Sequence, residues 1–271
     1  MWGGAEPPLG GLSMGVRSTI AAPHLNQQRK ARLKGLEPLA RSLEGCRSIQ
    51  LSYRRTMGRV YVSTWENPWA DTMRDILIAT QNRDKVGEIQ RLIAALPFRF
   101  VLPRDLGIPD SPEETETTFL GNARLKALHY AKVSGLPAVA DDSGLSIDAM
   151  NGEPGVYSSR FCGETATYPE RFEEIWRRLR GVPADRRTAH FTCAVAMAAG
   201  DHIAFETEQE VQGLIASAPR GTNGFGYDPI FFHPPSGRTT AELTREEKDA
   251  ISHRGQAFAK FRDFLASGAS F

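Results

Sequence analysis

The sequence predicts an α/β fold built on a mixed β-sheet. Strand and helix signals alternate from about residue 73 onward. Within them, "RTAHFTCAVAMAAGDHIAFETEQEVQGLIA" holds two long strand-like segments joined at a Gly-Asp turn, a pair that is antiparallel whatever the other strands do. Met73 stands directly before "RDILIAT", the first apolar run of strand length, which is where a compact domain would begin.

The elements follow in order. "ILIAT" is a buried strand, and an amphipathic helix over about Asp84 to Leu96 carries Val86, Ile89, Ile93 and Leu96 at helical spacing. "TFLGNARLKALHYAKVSG" is a second helix closed by Gly135. "PAVAD" is a strand expected to stop at two adjacent acids, Asp141 and Asp142, because Ser143 and Gly144 are turn formers. Consecutive strand residues face opposite ways, so only one of the two acids can enter a given cleft. "RFEEIWRRLRG" is a third helix stopped by Gly181, and the long hairpin comes next. The closing part holds a strand, "DPIFF", a capping box at Thr244 and Glu247, and a final helix over about Gly255 to Leu265.

Residues 1–72 differ from the rest. They are rich in Gly, Pro, Arg and Ser without sustained periodicity, and are expected to be a disordered extension or the product of an upstream start codon. An Arg-rich, acid-poor start also fits an organelle transit peptide. The functional domain is expected over residues 73–271. Charge follows the same division, with ten Lys and Arg against five Asp and Glu in residues 1–72 and 23 against 27 thereafter. The main body therefore offers no bulk basic charge for nucleic acid. Three cysteines, Cys46, Cys162 and Cys193, lie far apart with no CxxC, which argues for reduced thiols and against a structural metal cage. No apolar run approaches the roughly 18–20 residues that span a bilayer. A soluble, cytoplasmic protein is expected.

Four stretches carry chemistry. In "ATQNRDKVGE" a buried strand ends at Thr80 and Lys85 falls in the first turn of the next helix, where free N–H groups and an ammonium form an anion site; the plainer reading is a solvated lysine. In "PDSPEETETTF", Glu113, Glu114 and Glu116 precede a helix, where capping alone would favour acids. In "AVADDSGLSIDAM" the strand-end carboxylates suit a hard cation such as Mg²⁺, or are simply solvated in a turn. In "GTNGFGYDPIFF" and "REEKDAISHRGQAF", Phe225 and Tyr227 sit in a Gly-rich loop that can approach a base, while Ser252 is an N-cap with His253 and Arg254 behind it. Together these are the parts of a nucleoside triphosphate site.

The elements "ATQNRDK", "EETETTFLGNARLKA", "PAVADDSGLSIDAMNGEPGVYSSRF", "GFGYDPIFF" and "AELTREEKDAISHRGQAF" resemble, in order, the inosine/xanthosine triphosphate pyrophosphatase family. The resemblance covers about residues 74 to 265. It implies a two-lobed α/β fold around a long mixed sheet, a site in the cleft between lobes, and a homodimer. It also implies Mg²⁺-dependent hydrolysis of ITP, dITP, XTP and dXTP to the monophosphate and pyrophosphate. Carried over by motif, Thr80, Gln81, Asn82, Arg83, Asp84 and Lys85 hold the triphosphate. Asp142 is the general base and a Mg²⁺ ligand, and Ser143 contacts substrate. Glu113 is taken as the further metal-side acid, with Glu114 as its rival. Phe225, Gly226, Tyr227 and Asp228 line the base pocket, Lys248 reaches substrate, and His253 and Arg254 read the purine. One departure is Gly121, where many members carry Glu. The rival readings are a Maf-like pyrophosphatase of other base specificity, against which "SHRGQAF" and "GFGYDP" stand, and a non-catalytic nucleotide sensor, against which the retained acids stand.

Overall fold

The computed structural model describes residues 74–108, 111–269 and 271. The expectations for residues 1–72 lie outside the described residues.

Seven strands form one mixed sheet in the order β2-β1-β3-β4-β5-β6-β7. They are β1 (Asp75–Ile78), β2 (Arg99–Val101), β3 (Ala138–Ile147), β4 (Thr188–Ala199), β5 (His202–Ile215), β6 (Phe231–His233) and β7 (Arg238–Thr239). β1 runs parallel to β2 and β3, and every later pairing is antiparallel. Among the described residues, five α-helices flank the sheet: α1 (Arg83–Ile93), α2 (Phe119–Ser134), α3 (Tyr168–Arg178), α4 (Arg245–Ile251) and α5 (His253–Ala266). Two local signals are those of the sequence: Gly135 closes α2 in the left-handed region, and Thr244 with Glu247 forms a capping box on α4. The structure adds an Asn82 cap on α1, which accepts from the Asp84 and Lys85 amides, and a Thr167–Glu170 capping box on α3.

Two strands depart from expectation. β3 does not stop at Asp142; it continues through Ser143 and Gly144 to Ile147, paired with β4 along its whole length. Gly144 is there for room rather than for a turn. A Cβ on it would stand 2.5 Å from the Gly155 carbonyl and from Ser158 Oγ, so the chain at 155–158 lies directly against this part of the strand. At the other end of the chain, Asp228–Ile230 form a single 3₁₀ turn, and the strand expected from "DPIFF" begins only at Phe231. The Asp228 carboxylate holds that turn by accepting from the Phe225 amide (2.8 Å) and the Thr240 hydroxyl (2.8 Å).

Apolar side chains gather at the two ends of the long strands. At one end, Ile76, Ile78, Val139, Val195 and Met197 pack against α1 and α5, while Leu77, Ala138, Ala140 and alternate alanines of β4 pack against α2 on the opposite face. At the far end, Leu145, Ile147, Phe191, Val211 and Ile215 pack with Phe172 and Ile175 of α3. Asp141 to Gly144 span the interval between these two bodies, so the acids mark the cleft of a two-lobed fold. β1 pairs with β3 only at Ala138 and Val139. Beyond the end of β1, the edge of β3 is no longer paired with β1, the usual position for a site at the carboxyl end of a parallel strand.

Candidate active site

A cavity of about 270 Å³ lies beyond the end of β1. Its lining includes Thr80, Gln81, Asn82, Lys85, Asp142, Ser143, Phe225, Gly226, Tyr227, Asp228, Lys248, His253 and Arg254, all singled out from the sequence. Arg83 and Asp84 do not line it; both are exposed on the first turn of α1. Glu113 is also exposed and outside it, whereas Glu114 is on its wall.

The two adjacent acids of β3 serve different neighbourhoods, as the strand period requires. Asp142 faces α2. Its Oδ1 accepts from Lys126 Nζ at 2.8 Å and its Oδ2 from Asn122 Nδ2 at 3.3 Å. The same Lys126 ammonium donates to Glu114 Oε1 at 2.8 Å, and Arg160 reaches Glu114 Oε2 at 3.4 Å. Burial pushes Asp142 above the ordinary aspartate value, against the pull of Lys126 and Lys85.

Asp141 faces α1 and α5. Its Oδ2 accepts from Arg254 Nη2 (3.1 Å) and pairs with Lys85 (3.2 Å). Arg254 continues to Glu88 Oε2 (2.6 Å) and Ser143 Oγ (2.7 Å). Glu88 Oε1 accepts from Lys248 (2.7 Å), which in turn donates to Asp228 Oδ2 (2.5 Å). Three buried acids and three cations thus form one chain that ties α1, β3, the 225–228 loop, α4 and α5 together. The Phe225 ring covers it, with Lys248 at 5.2 Å and Arg254 at 5.6 Å from its centroid. His253 stacks on Phe191 with centroids 4.7 Å apart, and its buried Nδ1 has no partner among the described residues. Tyr227 is an anchor: its hydroxyl donates to the Ser158 carbonyl at 2.8 Å and its ring packs edge-on against Tyr168.

The cavity thus joins cations and carboxylates to aromatic faces, as a charged ligand carrying a planar ring requires. Comparison with known proteins decides the family. A model described as the Ham1 family matches residues 76–264. The chain belongs to the Ham1 family. Among relatives, the dITP/XTP pyrophosphatase of Shigella flexneri is 48% identical over 198 residues, which are 72% of this chain and all of that one. The enzyme of the same name from Escherichia coli K12 is 47% identical over the same span. A solved HAM1 protein from Coxiella burnetii superposes with a TM-score of 0.67 at 44% identity, covering 72% of this chain and all of its own. The Staphylococcus aureus Ham1 protein gives 0.65 at 35%. The Ham1 fold and the resemblance read from the motifs therefore agree.

In this Ham1 chain the sequence reading missed several residues of the site: Glu88, Asn122, Lys126, Tyr168 and Phe191. For three of them a signal exists. The buried stripe of α1 is Glu88, Ile89, Leu92, Ile93, and that of α2 is Asn122, Ala123, Lys126, Ala127, Tyr130, Ala131. Polar or charged side chains set in phase with an apolar stripe are held there by partners, and those partners are the site. Among the described residues no group of three His, Cys, Asp or Glu side chains is arranged to hold a metal, and no helix is long and apolar enough to cross a membrane.

The network sets a pH response. Burial alone would raise Glu88 and Asp141, but Arg254 and Lys248 around the first, and Lys85 and Arg254 around the second, hold them below their ordinary values of 4.5 and 3.8. His253 is pushed well below 6.5 by burial and by the Arg254 and Lys248 charges. Unfolding therefore takes up a proton at His253 once pH falls below 6.5, and at Glu88 and Asp141 once it falls below 4.5 and 3.8. Stability from these groups is complete above those values and is lost as pH falls through them. The melting temperature of the chain is expected to decline in two stages on acidification, and a flat profile from pH 7 to pH 5 would show that His253 protonates freely in the folded state.

Proposed function

We propose that this chain hydrolyses the deaminated purine nucleoside triphosphates ITP, dITP, XTP and dXTP to the monophosphate and pyrophosphate, using Mg²⁺, as a homodimer in the cytoplasm. The activity is assigned to residues 73–271. The names of the relatives supply the substrate class. The observation that carries the chemistry is the convergence of Glu114 and Asp142 on a single ammonium 2.8 Å from an oxygen of each, because two carboxylates that already share one cation can share another.

That geometry is the test of fit for the metal. Mg²⁺ takes one or two carboxylates and leaves its other positions to water and phosphate oxygens, which suits a two-acid set beside a cationic cavity. Glu114 replaces Glu113 as the metal-side acid, since Glu113 points no carboxylate at the cavity wall. When bound, the metal supplies positive charge to the triphosphate oxygens and acidifies water beside Asp142.

The remaining work falls to the chain itself. Attack at the α-phosphorus expels pyrophosphate, so negative charge grows on the bridging oxygen. Lys85, which lines the cavity, meets that charge, and Asn82 fixes the turn that carries it by capping the Asp84 and Lys85 amides. Asp142 orients the attacking water and accepts its proton. Asp141 takes no part in the reaction; it holds Lys85 and Arg254 in place.

Base choice rests on the neutral imidazole of His253 and on backbone amides of the 225–228 loop. Hypoxanthine and xanthine present a 6-oxo acceptor where adenine presents an amino donor. A donor in the pocket is satisfied by the first two and left facing a donor by the third. Each unpaired buried group costs about 1–3 kcal/mol, so two mismatches give a preference of order 10². Arg254 contributes by position, because Nε, Nη1 and Nη2 are already given to Asp141, Glu88 and Ser143.

The test is the product released from ITP, XTP, GTP and ATP with Mg²⁺, using the full chain and a shortened chain starting at Met73. Pyrophosphate from ITP and XTP, at equal rates in both, is expected. Orthophosphate, or turnover of ATP at the rate of ITP, would overturn the proposal.

A further inference from the structure

Lys126 lies in the buried stripe of α2 and is 6% exposed. Its ammonium lies 2.8 Å from an oxygen of each of two carboxylates, Asp142 and Glu114. The oxygens it bridges, Glu114 Oε1 and Asp142 Oδ1, are the ones that converge on a common point. The second oxygen of each acid is engaged elsewhere, Oε2 by Arg160 and Oδ2 by Asn122. Of the other cations near the pair, Arg160 is already on Glu114 Oε2 and Lys85 is paired with Asp141 on the opposite face of β3. A divalent cation entering between Glu114 and Asp142 must therefore displace the Lys126 ammonium. A displaced ammonium left buried without a counter-ion is strongly unfavourable. The cavity that Lys126 lines is the one that would hold a triphosphate, whose oxygens offer the missing partner.

We propose that Lys126 is an internal counter-ion that keeps the Glu114–Asp142 pair closed to divalent cations until a nucleoside triphosphate arrives to take its ammonium. This rests on the placement of the metal at those two acids. Metal and nucleotide then bind cooperatively, and the coupling is reciprocal, each tightening the other by the same factor. Bulk divalent cation alone leaves the site in its lysine-bridged form, so water beside Asp142 is not activated before substrate is present.

The test uses Mn²⁺ as the probe, titrated into the nucleotide-free full chain and followed by electron paramagnetic resonance. Lys126→Met, which keeps bulk and removes charge, is expected to bind Mn²⁺ about tenfold tighter than the unaltered chain. Lys126→Arg, which restores a cation, is expected to return to weak binding. Equal or weaker Mn²⁺ binding in Lys126→Met overturns the counter-ion role. Asp142→Asn separates the two ideas. If it leaves Mn²⁺ affinity unchanged, the metal placement fails and the counter-ion role fails with it; if it weakens Mn²⁺ while Lys126→Met does not tighten it, only the role of Lys126 fails. Should Lys126→Met not fold, ¹⁵N-lysine resonances of the unaltered chain decide. The Lys126 Nζ signal is expected to stay in place with Mg²⁺ alone and to move when Mg²⁺ and a non-hydrolysable ITP analogue are added together. The same movement with Mg²⁺ alone overturns the proposal.

Discussion

Asp142→Asn is expected to lower kcat on ITP by about 10²–10⁴-fold while nucleotide affinity stays within about tenfold. The amide is nearly isosteric but is a poor base, and it brings an NH₂ donor to a position where Lys126 and Asn122 already donate. One of those contacts must turn from attractive to repulsive, which also loosens the set of oxygens offered to a cation. Binding is expected to survive because the proposed triphosphate and base contacts fall on other residues of the cavity. Asp141→Asn, one residue away, is expected to behave differently. Its carboxylate balances Lys85 and Arg254, so its loss lowers the unfolding midpoint in urea more than it lowers kcat. Single-turnover rates and urea midpoints of the two variants measure the contrast. Equal kcat in Asp142→Asn and the unaltered chain would remove Asp142 from the general-base role.

That contrast was legible in one respect and hidden in another. The alternation of strand residues required Asp141 and Asp142 to face different partners, and they do. The end of the strand was misplaced, because Ser-Gly carries a turn signal whose force depends on what lies beside it. Continuous pairing with β4 overrides the signal, and the close approach of the 155–158 chain accounts for Gly144. Local propensity is a weak guide where ten residues of ladder are available to one strand. The "DPIFF" strand was shortened for the opposite reason. There a side chain, Asp228, supplies the hydrogen bonds of a turn that the backbone pattern alone does not announce.

Caps and helix closures were readable because their partners lie within three or four residues: Gly135, Thr244 with Glu247, and Ser252. Partners far apart in sequence were not. Glu88 and Lys248 are separated by 160 positions, and Lys126 reaches Asp142 across 16 and Glu114 across 12. No spacing rule connects such pairs; only the anomaly of a charge on an apolar stripe hints at them. The choice between Glu113 and Glu114 was likewise beyond the sequence, since adjacent acids ahead of a helix differ only in which one the chain turns inward.

Arg254→Ala is expected to cost about 3–5 kcal/mol of folding stability, the largest structural loss among single changes at this site. The residue is 2% exposed and its guanidinium serves Glu88, Asp141 and Ser143 at once. Removal leaves Lys85 as the one cation paired with Asp141, beside the Ser143 hydroxyl, and Lys248 as the one paired with Glu88, two buried carboxylates each short of a donor. The sign of the pH response follows. Fewer cations hold those carboxylates below their ordinary values, so the stability they contribute above pH 4.5 shrinks, and the variant melts at a lower temperature at neutral pH with a shallower decline below pH 4.5. Selectivity is expected to move as well. Arg254 is the residue after His253 and lies beneath Phe225, so losing it frees the first turn of α5 and narrows the ITP/ATP ratio in kcat/KM. Glu88→Gln distinguishes contact from position. Glu88 does not line the cavity, yet it fixes Arg254 and Lys248 from behind. A narrowed ratio in Glu88→Gln, with Arg254 still present, assigns base selection to the alignment of α5 and the 225–228 loop. An unchanged ratio in Glu88→Gln beside a narrowed one in Arg254→Ala would instead make the guanidinium itself the group that reads the purine.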